Sequence, residues 1–512
     1  MKIMRKVKRK FCPNAPEFQR EKYAKQQHPE VKVLVTGLMQ CKNFGDVVIS
    51  DCTSYLIKKA AKEAGIKKLK LSTLDIRRQK DKASLNKVRN SDLVVFPGGG
   101  FIKYKQESFP VEMGRITSRA EHYGIPVMYN AMGVEDYDDT NPACVEMQSI
   151  LNLYSNKYIT SRDFHDLLNS TYLRESYLKA KRVADPAVYS QEVYGVVKDE
   201  DSDVVGLGVA RHGLFSDHGI PMSGEDMLSV WENIIEKLDE EGIKWKLFTN
   251  GLRQDEEFLS DLLVRLGREN DREAISLKAP ETAEELVRNI SSFSSLIATR
   301  MHANIIAFSL SVPSVAFVWN DKLRYFGNSI GCGHRYIEYD KIRDADFVIS
   351  TLKKAIKEGY DKGILEREKL SAYESVKDFV IPFSKDIVKS RRRDLTDVKT
   401  VCYGLPNLES EKLNRGFFEQ NVDYFVSSDE DLIGTTCFGK PVYSSKKLKK
   451  RFSKKPFVIV SETVDYTPCA KELISCGYIE RFDFVNMHAY RRYVFKKGDV
   501  FIYDTVPATD KK

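Results

Sequence analysis

Short, continuously apolar runs alternate with helix-length stretches along this chain, and that alternation restricts the fold more than any other feature. Val31–Thr36, residues 67–71, Asp92–Pro97, Pro126–Met132 and Lys157–Ser161 are strand-like, with a helical pattern from about Asp46 to Ala64 between the first two. Strands separated by helices of this length predict βαβ units, and runs that do not alternate in polarity predict strands buried on both faces of a parallel sheet. The rhythm restarts at Asp203–Ala210. Helices at 223–240, about 255–268, 281–290 and 301–310 follow, with strands at Trp245–Thr249, 295–299 and 313–319. The expected fold class is therefore α/β, with two Rossmann-like halves and a polar, acidic joint around Tyr189–Ser202.

The expected organisation is a basic tail over 1–30, an N-terminal domain over 31–195 and a second domain over 196–360. A helical linker over 361–397 then leads to an accessory α/β unit over 398–512. The 360–395 stretch reads as helical up to Pro382 and then basic, as a solvated face or linker would be. In the last unit Phe457–Ser461, a helix near 465–476 and Arg481–Val485 form a small βαβ-like piece, and Tyr493–Asp504 reads as two short strands around Gly498. Lys and Arg exceed Asp and Glu by 81 to 73, too dispersed an excess to argue for nucleic acid. No apolar run approaches a membrane span. The start, MKIMRKVKRKF, has no apolar segment of a secretory signal, so a cytoplasmic chain is expected. Lys2, Arg5, Lys6, Lys8, Arg9 and Lys10 could hold the tail against anionic headgroups at the inner face of a membrane. The nine cysteines are scattered without a C-x-x-C pair, which argues for reduced thiols and against a structural zinc site.

Four strand-end segments could carry chemistry. In Gly37–Asp46 (GLMQCKNFGD) a glycine loop runs into a helix start, where backbone N–H groups can face an anion. Asn43 and Gly45 can adopt unusual backbone angles and Asp46 can cap the helix; the same residues would also make a plain capped turn. Gly98, Gly99 and Gly100 follow a buried strand directly and let another group approach the backbone. Arg300, Met301 and His302 stand where a strand ends and a helix opens, with Ala303, Ile306, Ala307 and Leu310 as that helix's buried face. An arginine there can clamp a carboxylate or phosphate, and a histidine can move a proton near neutral pH. Arg211 ends the first strand of the second half, at the same sheet edge.

Taken in order, these pieces resemble the polysaccharide pyruvyl transferase family. The matching residues are Asn43-Phe44-Gly45-Asp46, Phe96-Pro97-Gly98-Gly99-Gly100, Ser161-Arg162-Asp163, Asp185-Pro186-Ala187 and Thr299-Arg300-Met301-His302-Ala303, with Pro313 and Asp321-Lys322 downstream. The resemblance covers roughly 31–360. It implies two Rossmann-like domains in a glycosyltransferase-B-like arrangement. It further implies transfer of pyruvate from phosphoenolpyruvate onto two hydroxyls of a sugar as a cyclic ketal. The acceptor would be a free or lipid-linked sugar or oligosaccharide. Carried over, Arg211, Arg300, Met301 and His302 would bind the donor, and His302 would be the catalytic acid. Asn43, Gly45, Asp46, Gly98, Gly99 and Gly100 would line the acceptor side. No cofactor or metal is implied beyond phosphoenolpyruvate as co-substrate. Met301 stands where leucine is usual, a volume-conserving change. A helix N-terminus disfavours an imidazolium, so His302 is expected to become a competent acid mainly when the anionic donor is bound.

Two other readings fit the same residues. Strand-end arginines could hold the diphosphate of a nucleotide sugar, making the chain a glycosyltransferase; Asp136-Tyr137-Asp138 mimics an acidic metal motif but more simply reads as a solvated loop. The basic tail and extra unit would instead suit a non-catalytic assembly factor of polysaccharide biosynthesis.

Overall fold

The computed structural model describes residues 29–490 except 41, 79–81, 104–107, 175, 393–394, 396–397, 407–417, 420 and 450–454, together with 496–497 and 500–501. The basic tail therefore lies outside the described residues. The molecule contains three α/β sheets, all parallel but for one antiparallel edge pair in the third. In the N-terminal domain the strands are β1 (Val31–Gly37), β2 (Leu69–Asp75), β3 (Leu93–Phe96), β4 (Gly99–Ile102), β5 (Val127–Val134), β6 (Asn156–Ser161) and β7 (Lys181–Arg182). They are ordered β2-β1-β3-β5-β6-β7, and every pairing is parallel. All of β3 and all of β5 are buried, as continuous apolar runs require in a sheet covered on both faces.

The second domain contains β8 (Val205–Gly208), β9 (Trp245–Phe248), β10 (Ser295–Ala298), β11 (Ser314–Val318) and β12 (Tyr336–Glu338), ordered β12-β11-β10-β8-β9. In both sheets the first strand lies between the second and the third. The winding therefore reverses beside it, and loops leaving the two central strands splay apart to form a crevice. The four segments singled out in the sequence leave those strands: Gly37–Asp46 after β1, Gly98–Gly100 after β3, Arg211 after β8 and Arg300 after β10.

Several expectations are corrected. The glycine run is not wholly a loop, because Gly99 and Gly100 open β4, which pairs with the far half of β5. Gly98 and Gly99 make this possible with φ of 125° and 120°, a region glycine enters at little cost. The 361–397 stretch is not a linker. The helix Lys362–Arg391 passes through Pro382 without ending and packs on the N-terminal domain. Arg182 holds Glu368 with both nitrogens, at 2.8 and 2.6 Å, and Ser375 bonds Thr160 and Asn130. Arg391, expected on a solvated face, is buried against Asp92 at 2.5 Å. One apolar core runs from Val33 and Val35 of β1 through the helix Phe44–Glu63 into the sheet of the second domain, so the two domains are fused by packing.

The C-terminal unit has more strands than its sequence suggests. β13 (Thr400–Tyr403), β14 (Tyr424–Ser427), β15 (Thr436–Cys437), β16 (Lys440–Ser444), β17 (Phe457–Val460) and β18 (Phe484–Asn486) form one sheet, ordered β15-β16-β14-β13-β17-β18. The expected strand at Arg481–Val485 begins only at Phe484, and Lys496–Lys497 pairs with Val500–Phe501 as a hairpin. The unit docks on the N-terminal domain: Tyr154 and Tyr466 both donate to Glu480, at 3.1 and 3.0 Å. Among the described residues no helix is long and apolar enough to cross a membrane.

Candidate active site

A cavity of about 750 Å³ opens between the carboxyl ends of the first two sheets. Asn43, Asp46 and Gly100 line it from the N-terminal domain; Arg211, Arg300, Met301 and His302 line it from the second. Gly45, Gly98 and Gly99 do not line it. Gly98 backs onto Ile49 and the carbonyls of Asn130 and Ala131, and Gly99 onto the Phe101 ring. Gly45 lies under the His302 imidazole, where a Cβ would sit 2.6 Å from the histidine Cβ and 2.7 Å from Nδ1. Asp46 is not the helix cap; that position is Asn43, whose Nδ2 donates to Asp46 Oδ2 at 3.0 Å.

Arg300 ends β10 in extended conformation as the N-cap of the helix Met301–Ser309. That helix is buried along its whole length rather than on one face, because residues Pro186–Tyr189 of the N-terminal domain cover its outer side. Asp255 fixes both arginine loops. This fully buried carboxylate accepts from Arg300 Nε at 3.0 Å, from Arg300 Nη2 at 2.5 Å and from the Arg211 backbone N–H at 2.9 Å. Arg300 is thus clamped along one edge, with its Nη1 edge left for a ligand. The Arg211 guanidinium lies on half-exposed Asp217 at 2.5 Å, a pairing that an incoming dianion can displace.

His302 projects across the domain boundary. Its Nε2 lies 3.3 Å from Arg162 Nη1 and 3.8 Å from Asp185 Oδ2. Arginine only donates, so Nε2 accepts and the ring proton is assigned to Nδ1. Arg162 is itself in a buried ion pair with Asp185. Burial alone would raise the Asp185 carboxyl, but the Arg162 guanidinium above all holds it well below the ordinary carboxylate range. Asp185 thus stays ionised and can stabilise a proton arriving on the imidazole. The Ser161-Arg162-Asp163 and Asp185-Pro186-Ala187 motifs are where the N-terminal domain grips the histidine of the second. Gly45→Ala would push the ring off this seat, and a displacement near 1 Å should cost on the order of 10²-fold in turnover. A steady-state assay on the folded variant checks it, and near-normal turnover would show that the contact with Gly45 is unimportant.

Beside Arg162, buried Asp163 accepts from the Val134 N–H at 2.7 Å. Burial raises its carboxyl to about 6, against the pull of Arg162. The folded state therefore binds this proton more readily than the unfolded chain. Asp163 makes stability decline as pH rises from about 4 to about 6, by up to about 3 kcal/mol for a shift near two units. Thermal melts across that window should show a decline that is shallower in Asp163→Asn. Equal slopes in both proteins would refute the assignment.

Among the cavity residues that the sequence reading missed are Lys103, Glu135, His218 and Trp319. Lys103, Glu135 and Trp319 each directly follow a strand, which was the one available signal; His218 lies well beyond β8, in the loop that leaves it. Asp136 and Phe164 also line the cavity with positive φ; Asp136 is itself exposed, as a residue of a solvated loop would be.

The family model of polysaccharide pyruvyl transferase matches residues 43–321, more than half of the chain. The chain belongs to the polysaccharide pyruvyl transferase family. The matched span starts at Asn43 and ends at Asp321, enclosing both arginine loops, the His302 helix and the N-terminal groups that hold His302. Membership in the pyruvyl transferase family makes the protein a transferase of polysaccharide biosynthesis. No curated protein matches the sequence. Similar solved structures include a UDP-GlcNAc 2-epimerase from Methanocaldococcus jannaschii, 13% identical, covering 68% of this chain and 98% of that one at a TM-score of 0.45. The O-GlcNAc transferase of Thermobaculum terrenum is 12% identical over 70% of this chain and 67% of its own, at 0.36. The E. coli ADP-heptose lps heptosyltransferase II is 10% identical over 64% and 99%, at 0.32. These are likenesses of fold alone.

Proposed function

We propose that the cavity binds phosphoenolpyruvate and transfers its pyruvyl unit to two hydroxyls of a sugar, giving a cyclic ketal and inorganic phosphate. The observation that carries this reading is the convergence of Arg211, Arg300 and His302 on one cavity, with His302 held from the opposite domain. Phosphoenolpyruvate bears a carboxylate and a phosphate on three carbons, so it needs two cationic forks close together beside an acid.

His302 donates a proton to the methylene carbon, and the neighbouring carbon becomes oxocarbenium-like. One sugar hydroxyl adds there, and its proton restores His302. The carbon–oxygen bond to phosphate breaks, the second hydroxyl closes the ring, and its proton leaves on phosphate. Arg300 and Arg211 hold the two anionic groups. Asp46, on the acceptor wall, holds a sugar hydroxyl. Asp185, 3.8 Å from Nε2, faces the ring as it gives up its proton.

Incubation with phosphoenolpyruvate and candidate glycans, read by mass spectrometry, tests the reaction. A mass gain of one ketal-linked pyruvate with stoichiometric phosphate release is expected. Thermal stabilisation by a nucleotide sugar but not by phosphoenolpyruvate would overturn it in favour of glycosyl transfer.

A further inference from the structure

One buried amide on the cavity wall has no part in the proposed mechanism. Asn250 lines the cavity and is only 2% exposed. Its side-chain nitrogen is buried, and among the described residues it has no hydrogen-bond partner. Folded proteins rarely leave such a donor unmet, because it has given up water and gained nothing in return.

The place of Asn250 is fixed from both sides before any ligand arrives. Its carbonyl accepts from the Phe44 N–H at 3.2 Å. Gly251, the next residue, lies against Phe44 with φ of 93°; a Cβ there would come 2.6 Å from the ring and 2.8 Å from the Lys42 carbonyl. Thr249, the residue before, donates to Glu256 and accepts from the Gly251 N–H at 3.2 Å. The turn is thus a junction between the two domains, and a side chain seated on such a junction is held ready for a partner.

Register places this amide away from the donor arginine of β10. Phe248 of β9 pairs with Gly208 of β8, and Gly208 pairs with Ala298 of β10. Two residues farther along, the main chains of Asn250 and Arg300 stand two strand spacings apart, roughly 10 Å. Phe44, which the Asn250 carbonyl holds, is only two residues from Asp46 on the acceptor wall.

We propose that the Asn250 side-chain amide binds a hydroxyl of the acceptor sugar, so that a hydroxyl rather than a charge is read at this end of the cavity. The assignment to the acceptor rests on the reading that Arg211 and Arg300 hold the donor. A primary amide suits an uncharged hydroxyl, because it can donate to it and accept from it. A site built in this way rejects an analogue that lacks the hydroxyl, since its own buried group is then left unpaired.

Asn250→Leu keeps the branched shape and removes both polar atoms. If the amide waits for a ligand, the free variant should melt at or above the native temperature, because no buried donor is left unmet. Melting several degrees lower would make the amide a structural group and overturn the proposal. Turnover is then measured with the glycan that gains pyruvate in the mass-spectrometric assay. Asn250→Leu should raise KM for that glycan ten-fold or more, while calorimetry finds affinity for phosphoenolpyruvate within two-fold of native. Asn250→Asp, of the same shape but without the N–H donor, should raise the same KM. Among analogues of the glycan that each lack one hydroxyl, one should bind the native protein ten-fold more weakly than its parent and bind Asn250→Leu equally well. An unchanged KM in both variants, or a ten-fold loss of phosphoenolpyruvate affinity, would overturn the assignment. Should no glycan accept pyruvate, the transfer reading fails by itself. The melting temperatures of Asn250→Leu still decide whether the amide is kept for a ligand or for the fold.

Discussion

His302→Gln should lower kcat about 10²–10⁴-fold, the usual worth of a positioned proton donor, with affinity for phosphoenolpyruvate changed only a few-fold. Glutamine can meet Arg162 with its amide, so the domain contact 3.3 Å from the ring nitrogen is largely kept. It cannot deliver a proton to carbon. The loss should therefore appear in turnover, and donor binding by calorimetry should stay near that of the native protein. Asp185→Asn gives a graded counterpart. It removes the carboxylate 3.8 Å from Nε2 and should depress kcat less than His302→Gln does. Native-like turnover in His302→Gln would transfer the acid role to another group and leave the histidine a domain contact.

Asp255→Ala should be the most damaging single change to the donor side. The buried carboxylate takes two bonds from the Arg300 guanidinium and one from the Arg211 backbone. Removing it strands a guanidinium that is itself only 13% exposed. Breaking a buried pair in this way typically costs about 3–5 kcal/mol, because the remaining charge has lost both water and partner. Denaturant unfolding should show a loss of that size for the domain. Any folded fraction should bind phosphoenolpyruvate far more weakly, since neither arginine loop is then held. Asp255→Asn keeps one acceptor oxygen, which can still serve the Arg211 N–H and Arg300 Nη2, and should lose less. Unchanged stability in Asp255→Ala would mean that the arginine fork is positioned by other contacts.

Much of the architecture was legible because it is local. The short, largely apolar runs at Val31–Thr36 and Leu93–Phe96 read as buried parallel strands, and residues at strand ends followed from that. Arg211, Arg300 and His302 were accessible by the same logic: position at a strand end is a sequence property once the strand is placed. Errors arose where neighbours distant in the chain set the conformation. Helix Met301–Ser309 has no polar face because a segment more than a hundred residues earlier covers it. Helix Lys362–Arg391 runs through Pro382 because the N-terminal domain supports both of its halves.

The sequence alone determined the α/β class, the two windings and which loops meet at the sheet edges, since apolar periodicity and glycine placement act over a few residues. Only the tertiary structure decided the partners. It matched His302 with Arg162 and Asp185 and tied both arginine loops to Asp255. Those pairings depend on how charges far apart in the chain are desolvated together, and burial is a property of the packed whole that no single segment carries.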